Sequence, residues 1–265
     1  MNVVVILGSP RKKDSYKVCK MLEQYTSLNS DINFEYIFLK DYRIEECKGC
    51  DQCFQKGEHV CPCKDDLPTI KNKLQQADGI ILSSPVYAYQ VTSRTKCFID
   101  RLSYLFHRPE LIGKPALTVV TTGGGGGREV SKYLKMTAVG WGCQLIGQIC
   151  ITSSLFFEEY KNAPAWGYSP KYFQKMHKEI QSYATKFRTE IVSPSNHTPS
   201  YYDIYLFEGL KSKTITSKAD YEFWEKHGWL EENYYYNVKL SIGKLLFGKL
   251  IRAMIAQIVK KGNNS

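Results

Sequence analysis

The chain has 265 residues, 43% of them hydrophobic and 23% charged, an ordinary globular composition that excludes a disordered, collagen-like or coiled-coil chain as the main architecture. Lys and Arg number 36 against 26 Asp and Glu, a net charge of +10. Of that surplus, +6 falls in residues 238–265, which hold five Lys, one Arg and no acid, so no basic surface runs through the chain and no nucleic-acid recognition motif is found.

The start of the chain has no basic leader before its first apolar run, and that run ends at Gly8-Ser9-Pro10. A secretory signal is therefore not expected, and a cytoplasmic location is. Residues 2–7 (NVVVIL) form a short β-branched run that predicts a buried strand. Helical spacing of Val18, Met21, Leu22 and Tyr25 predicts a helix over 15–28, and alternation of Phe34, Tyr36 and Phe38 predicts a strand over 33–39. Then come a helix at 66–76, a strand at 79–83, a helix at 95–106 and a strand at 116–121. Five glycines, a helix through Tyr133 and Leu134, and a strand at 143–152 complete the rhythm. Strands alternating with helices of this length imply a parallel sheet covered on both faces, with ligands at the carboxyl ends of its strands. A further helix is expected over 169–190, and the Ser/Pro/Asn-rich stretch at 193–199 reads as a linker. This divides the chain into a sheet domain, 1–190, and an appendage, 191–265.

Three loops after strands carry unusual residues. In Gly8-Ser9-Pro10-Arg11-Lys12-Lys13-Asp14-Ser15, hydroxyls, cations and a helix start come together, the physics of a monophosphate site. The loop has neither the P-loop nor the dinucleotide pattern, and the alternative is an ordinary turn with Ser15 as helix cap. The second loop, Ser84-Pro85-Val86-Tyr87-Ala88-Tyr89, has a rigid turn and two tyrosines suited to a flat ring. The third, Thr121-Thr122 followed by Gly123 to Gly127, lets backbone approach a ligand closely or serves as a hinge.

Together these loops resemble the NAD(P)H-dependent FMN reductases of the flavodoxin superfamily, through GSPR…S at 8–15, SPVY…KCFIDR at 84–101 and TTGGGGG at 121–127. The resemblance spans residues 1 to about 152. It implies an α/β fold, a flavodoxin-like doubly wound five-stranded parallel sheet of order 2-1-3-4-5, here followed by a C-terminal helical appendage. It also implies FMN as cofactor, NAD(P)H as co-substrate and a homo-oligomer. Carried onto this chain, Ser9, Arg11 and Ser15 hold the FMN phosphate, while Pro85, Val86, Tyr87, Thr122, Gly123, Gly124 and Gly125 flank the isoalloxazine ring.

A fourth feature follows the second strand: Cys47, Cys50 and Cys53 at two-residue gaps, then Cys61-Pro62-Cys63. Three such cysteines fold around one centre and the fourth returns after a short loop. The pattern resembles the compact cysteine motif of iron-sulfur flavoproteins, which implies a 4Fe-4S cluster on Cys47, Cys50, Cys53 and Cys61. Zinc and free or disulfide-forming thiols are the competing readings, and Cys63 is a second candidate for the fourth ligand. Cys19, Cys97, Cys143 and Cys150 read as core residues.

Near the end, residues 242–259 spell a basic amphipathic helix, with Leu246, Leu250, Met254 and Ile258 on one side together with Phe247, Ile251 and Ile255. It is expected either to dock on its own domain or a dimer mate, or to meet a membrane surface. The functional expectation is an FMN-dependent oxidoreductase that takes hydride from NAD(P)H and reduces a quinone, a flavin or another small acceptor, with the cluster as a possible relay. The alternatives are a flavodoxin-like electron carrier and a redox-sensing, membrane-associated flavoprotein.

Overall fold

The computed structural model describes residues 1–28, 31–163 and 166–262. Five parallel strands, β1 (Asn2–Leu7), β2 (Asn33–Phe38), β3 (Gly79–Pro85), β4 (Pro115–Thr122) and β5 (Gln144–Thr152), form one sheet in the order β2-β1-β3-β4-β5. That is the order the resemblance implies.

From Val3 to Leu7, β1 is apolar at every position because both of its faces are covered. Val3, Val5 and Leu7 pack into one core with Val18 and Leu22 of helix α1 (Asp14–Thr26). Val4 and Ile6 point the other way, into the opposite core. That second core is closed by α3 (Leu67–Gln76), α4 (Ser93–Arg101) and α5 (Gly127–Gly140), after the short α2 (Gln52–Gln55). Following α6 (Ser153–Phe156), the long α7 (Pro170–Val192) covers the first face beside α1 with Met176, Ile180, Ala184, Phe187 and Ile191. Ser169 caps α7 by accepting from the Tyr172 amide at 3.3 Å, and Pro170 occupies the first turn, where a missing amide costs nothing.

The helix predicted over 95–106 is in fact two pieces. Thr92 accepts from the Thr95 amide and starts α4 early, and a 3-10 turn at Ser103–Phe106 follows a bend at Leu102. The bend comes where the Arg101 side chain turns into the interior. The buried thiols of Cys19 and Cys143 are pushed up to about 12 by desolvation, which keeps them protonated as core residues; Cys97 and Cys150 are half-buried.

The appendage contributes α8 (Tyr201–Lys211), α9 (Lys218–Lys226) and α10 (Ile242–Gly262). Ser200 and Asp203 form a reciprocal capping box at the start of α8. Phe207, Trp224 and Trp229 make a small aromatic core that also takes in Ile112 of the sheet domain. Each such side chain contributes about 1.5–3 kcal/mol on burial, so the appendage is packed rather than tethered. Among the described residues no helix is long and apolar enough to cross a membrane.

Candidate functional site

The first loop begins with a glycine that its surroundings require. The Gly8 amide donates to the Ser83 carbonyl at 2.8 Å, and the Thr92 hydroxyl donates to the Gly8 carbonyl at 2.9 Å. A Cβ at this position would overlap the Thr95 hydroxyl. Ser9 is buried and folds the loop on itself, its Oγ accepting from the Arg11 amide at 3.2 Å. Helix α1 starts at Asp14, with Lys13 in the cap position and no side-chain cap. Ser15 is therefore not the cap. It lies one position inside the helix, and its buried hydroxyl pairs with that of Thr121 at 2.6 Å, tying the first loop to the end of β4. The first-turn amides have no capping side chain, so this end of α1 presents donors and a positive dipole end beside Arg11, Lys12 and Lys13. The Asp14 carboxylate is turned toward the Tyr160 hydroxyl at 3.2 Å. An anion fits this donor set.

The ends of β3 and β4 lie alongside. The Val86 amide donates to the Thr121 carbonyl at 2.8 Å, and Tyr87 and Gln90 then exchange backbone bonds of 2.8 and 2.9 Å around a two-residue turn. Both turn residues, Ala88 and Tyr89, have positive φ, 47° and 62°. Such a turn normally takes Gly or Asn, so its backbone is strained here, a condition that gathers at functional sites. Thr122 Oγ1 donates to the Gly125 carbonyl at 2.6 Å and accepts from the Gly124 amide at 3.1 Å, which curls the glycine loop. A Cβ on Gly123 would meet open space, one on Gly124 would stand 2.9 Å from the Trp166 ring, and one on Gly125 would stand 2.9 Å from the Tyr89 hydroxyl. Exposed aromatics, Tyr87, Tyr89 and Trp166, thus surround the loop. Trp166 was not foreseen. Its only signal in the sequence is a tryptophan in the segment after the fifth strand, a post-strand position like the other three loops.

The four cysteines line one chamber with Cys63, a cavity of ≈ 520 Å³ bounded also by Phe54, Leu67, Arg101 and Tyr104. Gly49 and Asp51, both left-handed, bracket Cys50 and curl the chain into α2, which carries Cys53. Gly57 turns it back toward Cys61. Cys47 and Cys50 are exposed, Cys53 and Cys61 half-buried, and Cys63 buried with its thiol 3.7 Å from the Glu46 carbonyl. Among the described residues no three His, Cys, Asp or Glu side chains converge on one metal-ion position. Burial pushes the Cys53 thiol up, while the Arg108 charge pulls it down.

Two buried arginines hold this chamber: Arg101, which closes the KCFIDR segment, and Arg108, which no motif marked. Arg101 pairs with Asp65, donates to the Glu45 carbonyl at 2.8 Å and approaches the Cys61 sulfur at 3.8 Å. Arg108 donates to the Cys53 carbonyl at 2.7 Å and pairs with Asp220 of α9. Asp220 is fully buried and also lies 2.7 Å from His107 Nδ1, whose ring lies tilted against Phe54 at 4.4 Å. Ser217, the α9 cap, donates to the Phe54 carbonyl at 2.5 Å. The appendage therefore braces the cysteine turn directly.

Burial alone would raise the Asp65 carboxyl, but bonds from Arg101 and from the Glu45 and Leu67 amides outweigh it and hold it below the ordinary range. Its stabilising effect is full above the unfolded value of about 3.9 and is lost as pH falls through the lower folded value. Replacing Asp65 by Asn removes charge-assisted bonds worth about 1.5–3 kcal/mol. In urea melts the variant is expected to trail the wild type at neutral pH, with the gap closing below the folded value. An equal gap at every pH would show that the carboxylate charge is not what holds Arg101.

Comparison with known proteins agrees with this geometry. Residues 1–157 match the family of NADPH-dependent FMN reductases. The chain belongs to that family. An iron-sulfur flavoprotein of Archaeoglobus fulgidus is 33% identical over 241 residues, covering 87% of this chain and 100% of the relative. In fold, the chain resembles RosB with a bound 8-demethyl-8-formylriboflavin-5'-phosphate intermediate (TM-score 0.54, 12% identity, 91% and 92% of the two chains). An FMN-dependent NADH-azoreductase of Bacillus anthracis in complex with FMN gives a TM-score of 0.50 at 16% identity, covering 71% of this chain and 100% of that one. This member of the FMN reductase family is thus an oxidoreductase of flavodoxin-like fold. Its cysteine chamber lies outside the glycine and serine loops, between α2, α3 and α4.

Proposed function

We propose that the chain is an FMN- and NAD(P)H-dependent oxidoreductase whose electrons leave through a 4Fe-4S cluster on Cys47, Cys50, Cys53 and Cys61 to a small acceptor such as a quinone or a flavin. The observation that carries this reading is the pairing of an uncapped α1 N-terminus, flanked by Ser9 and Arg11, with a chamber holding the four cysteines. FMN, when bound, takes a hydride as two electrons and passes them on singly or in pairs. Ser9, Arg11, Ser15 and the first-turn amides of α1 would hold its phosphate. Pro85 to Tyr87 and Thr122 to Gly125 would hold the ring, with Gly123 leaving its side of the loop open. The chain's own share is binding, orientation and electrostatics.

For the cluster, the thiolates must be ionised, and at Cys53 burial outweighs the Arg108 charge, so ligation itself has to draw the proton off. Arg101 sets a guanidinium 3.8 Å from the Cys61 sulfur at the edge of the same chamber. Assembly into a homo-oligomer belongs to the same reading and is tested by sedimentation.

NAD(P)H oxidation by the purified protein, with no partner protein added, tests the reading against a carrier role. Turnover with a quinone or free flavin supports the enzyme, and flavin that NAD(P)H leaves oxidised supports the carrier. The ring placement has its own test. Gly124→Val drives a branched side chain against Trp166, and FMN affinity is expected to fall about tenfold, or about 1.4 kcal/mol. Unchanged affinity and turnover would place the ring elsewhere.

A further inference from the structure

We propose that α10 seats the protein on an anionic phospholipid surface through an apolar stripe that the fold leaves uncovered. The expectation of a single apolar side on this helix is corrected by the structure, because the helix has two. One flank is packed on α8. Gly248 faces Ile204 and Glu208, Phe247 meets the Tyr201 ring edge-on at 5.2 Å, and Arg252 grips the buried Glu208 carboxylate with bonds of 2.9 and 2.6 Å. That pair, with the carboxylate buried and the guanidinium half-exposed, fixes the rotation of the helix about its axis.

The other flank is then turned to solvent. Ile242, Leu246, Leu250, Met254 and Ile258 recur every four residues and are 52–77% exposed. Such spacing makes a stripe about 24 Å long that moves about 40° round the helix at each step. Exposed apolar stripes of this size mark an interaction surface. On α8, Tyr201 beside Phe247 and Tyr205 one turn on are also exposed, a residue type that favours the boundary between headgroups and acyl chains.

Charge selects the occupant. Residues 238–265 hold five Lys, one Arg and no acid, and the one acid that Arg252 meets is already spent. A second copy set stripe to stripe would bring two such segments together and repel. An anionic bilayer instead attracts each of them, in the manner of a helix lying in the interface plane. The side chains of 259–262, Lys260 and Lys261 among them, and residues 263–265 lie outside the described residues.

The full-length holoprotein is sedimented with vesicles of phosphatidylcholine alone and of phosphatidylcholine with phosphatidylglycerol. The wild type is expected to sediment with the anionic vesicles only, and less so at high salt. Leu250→Glu with Met254→Glu should cut the bound fraction at least tenfold while flavin content and circular dichroism stay unchanged, since both positions are exposed. Lys249→Glu should lower it through charge alone. Equal sedimentation of wild type and double variant overturns the proposal, as does a wild type that binds neither vesicle. Light scattering that shows a wild-type dimer broken by the double variant, without vesicle binding, overturns it in favour of self-association. The outcome is independent of what the flavin and cysteine sites hold.

Discussion

The Arg11→Ala, Ser15→Ala double variant is expected to lose most of its FMN. Both residues stand where α1 begins without a capping side chain, and a phosphate there draws on their charge and hydroxyl as well as on free amides. Charge-assisted bonds are worth about 1.5–3 kcal/mol each, so two of them lower affinity on the order of a hundredfold to ten-thousandfold. The two substitutions differ in what else they do. Arg11 is exposed, and its side chain is free to go without loss of packing. Ser15 is buried on Thr121, so its removal leaves that hydroxyl unpaired at a cost of about 1–3 kcal/mol of stability. Arg11→Ala alone thus separates binding from folding. Apoprotein titrated with FMN and followed by flavin fluorescence gives the affinities. A double variant with wild-type affinity puts the phosphate elsewhere.

Cys50→Ser is expected to empty the cysteine chamber of iron while leaving the flavin in place. Cys50 is exposed and flanked by two left-handed residues, Gly49 and Asp51, so the serine changes no core contact. It removes one thiolate from a four-thiolate set, and a 4Fe-4S group held by Cys side chains does not tolerate that readily. Protein prepared without oxygen should fall from about four irons per chain to nearly none. The companion variant Cys63→Ser decides the fourth ligand. Cys63 is buried and directed at the Glu46 carbonyl, whereas Cys61 faces Arg101. Iron retained in Cys63→Ser and lost in Cys61→Ser supports the assignment to Cys61, and the reverse transfers it to Cys63. Iron near zero in the wild type under these conditions leaves a flavin enzyme without a cluster.

Local sequence predicted the sheet well because each central strand is a short apolar run covered on both faces, as Val3 to Leu7 show, and α1, α3, α4 and α5 each bury one apolar face. The candidate loops stood out in the sequence because glycines, serines and cysteines at fixed offsets are the residue types for backbone approach, anion binding and thiolate ligation. What stayed hidden depends on contacts far apart in sequence. The Asp220 brace on His107 and Arg108 spans more than a hundred residues, and no periodicity connects its ends. The Ala88-Tyr89 turn was missed because it adopts left-handed angles without Gly or Asn. Ser15 looked like a cap from spacing alone, but its hydroxyl belongs to Thr121 across the sheet. The two-sided character of α10 depends on Arg252 finding a buried Glu208, which fixes which apolar positions face inward.

The decisive measurement is an anaerobic NADPH titration of the purified protein, followed by visible absorption, with FMN, iron and acid-labile sulfide counted on the same sample. About one FMN and about four irons per chain are expected, with NADPH bleaching the flavin bands and the broader iron-sulfur absorption together. Protein that carries no FMN, or whose flavin NADPH leaves oxidised, would contradict a flavin- and NAD(P)H-dependent oxidoreductase.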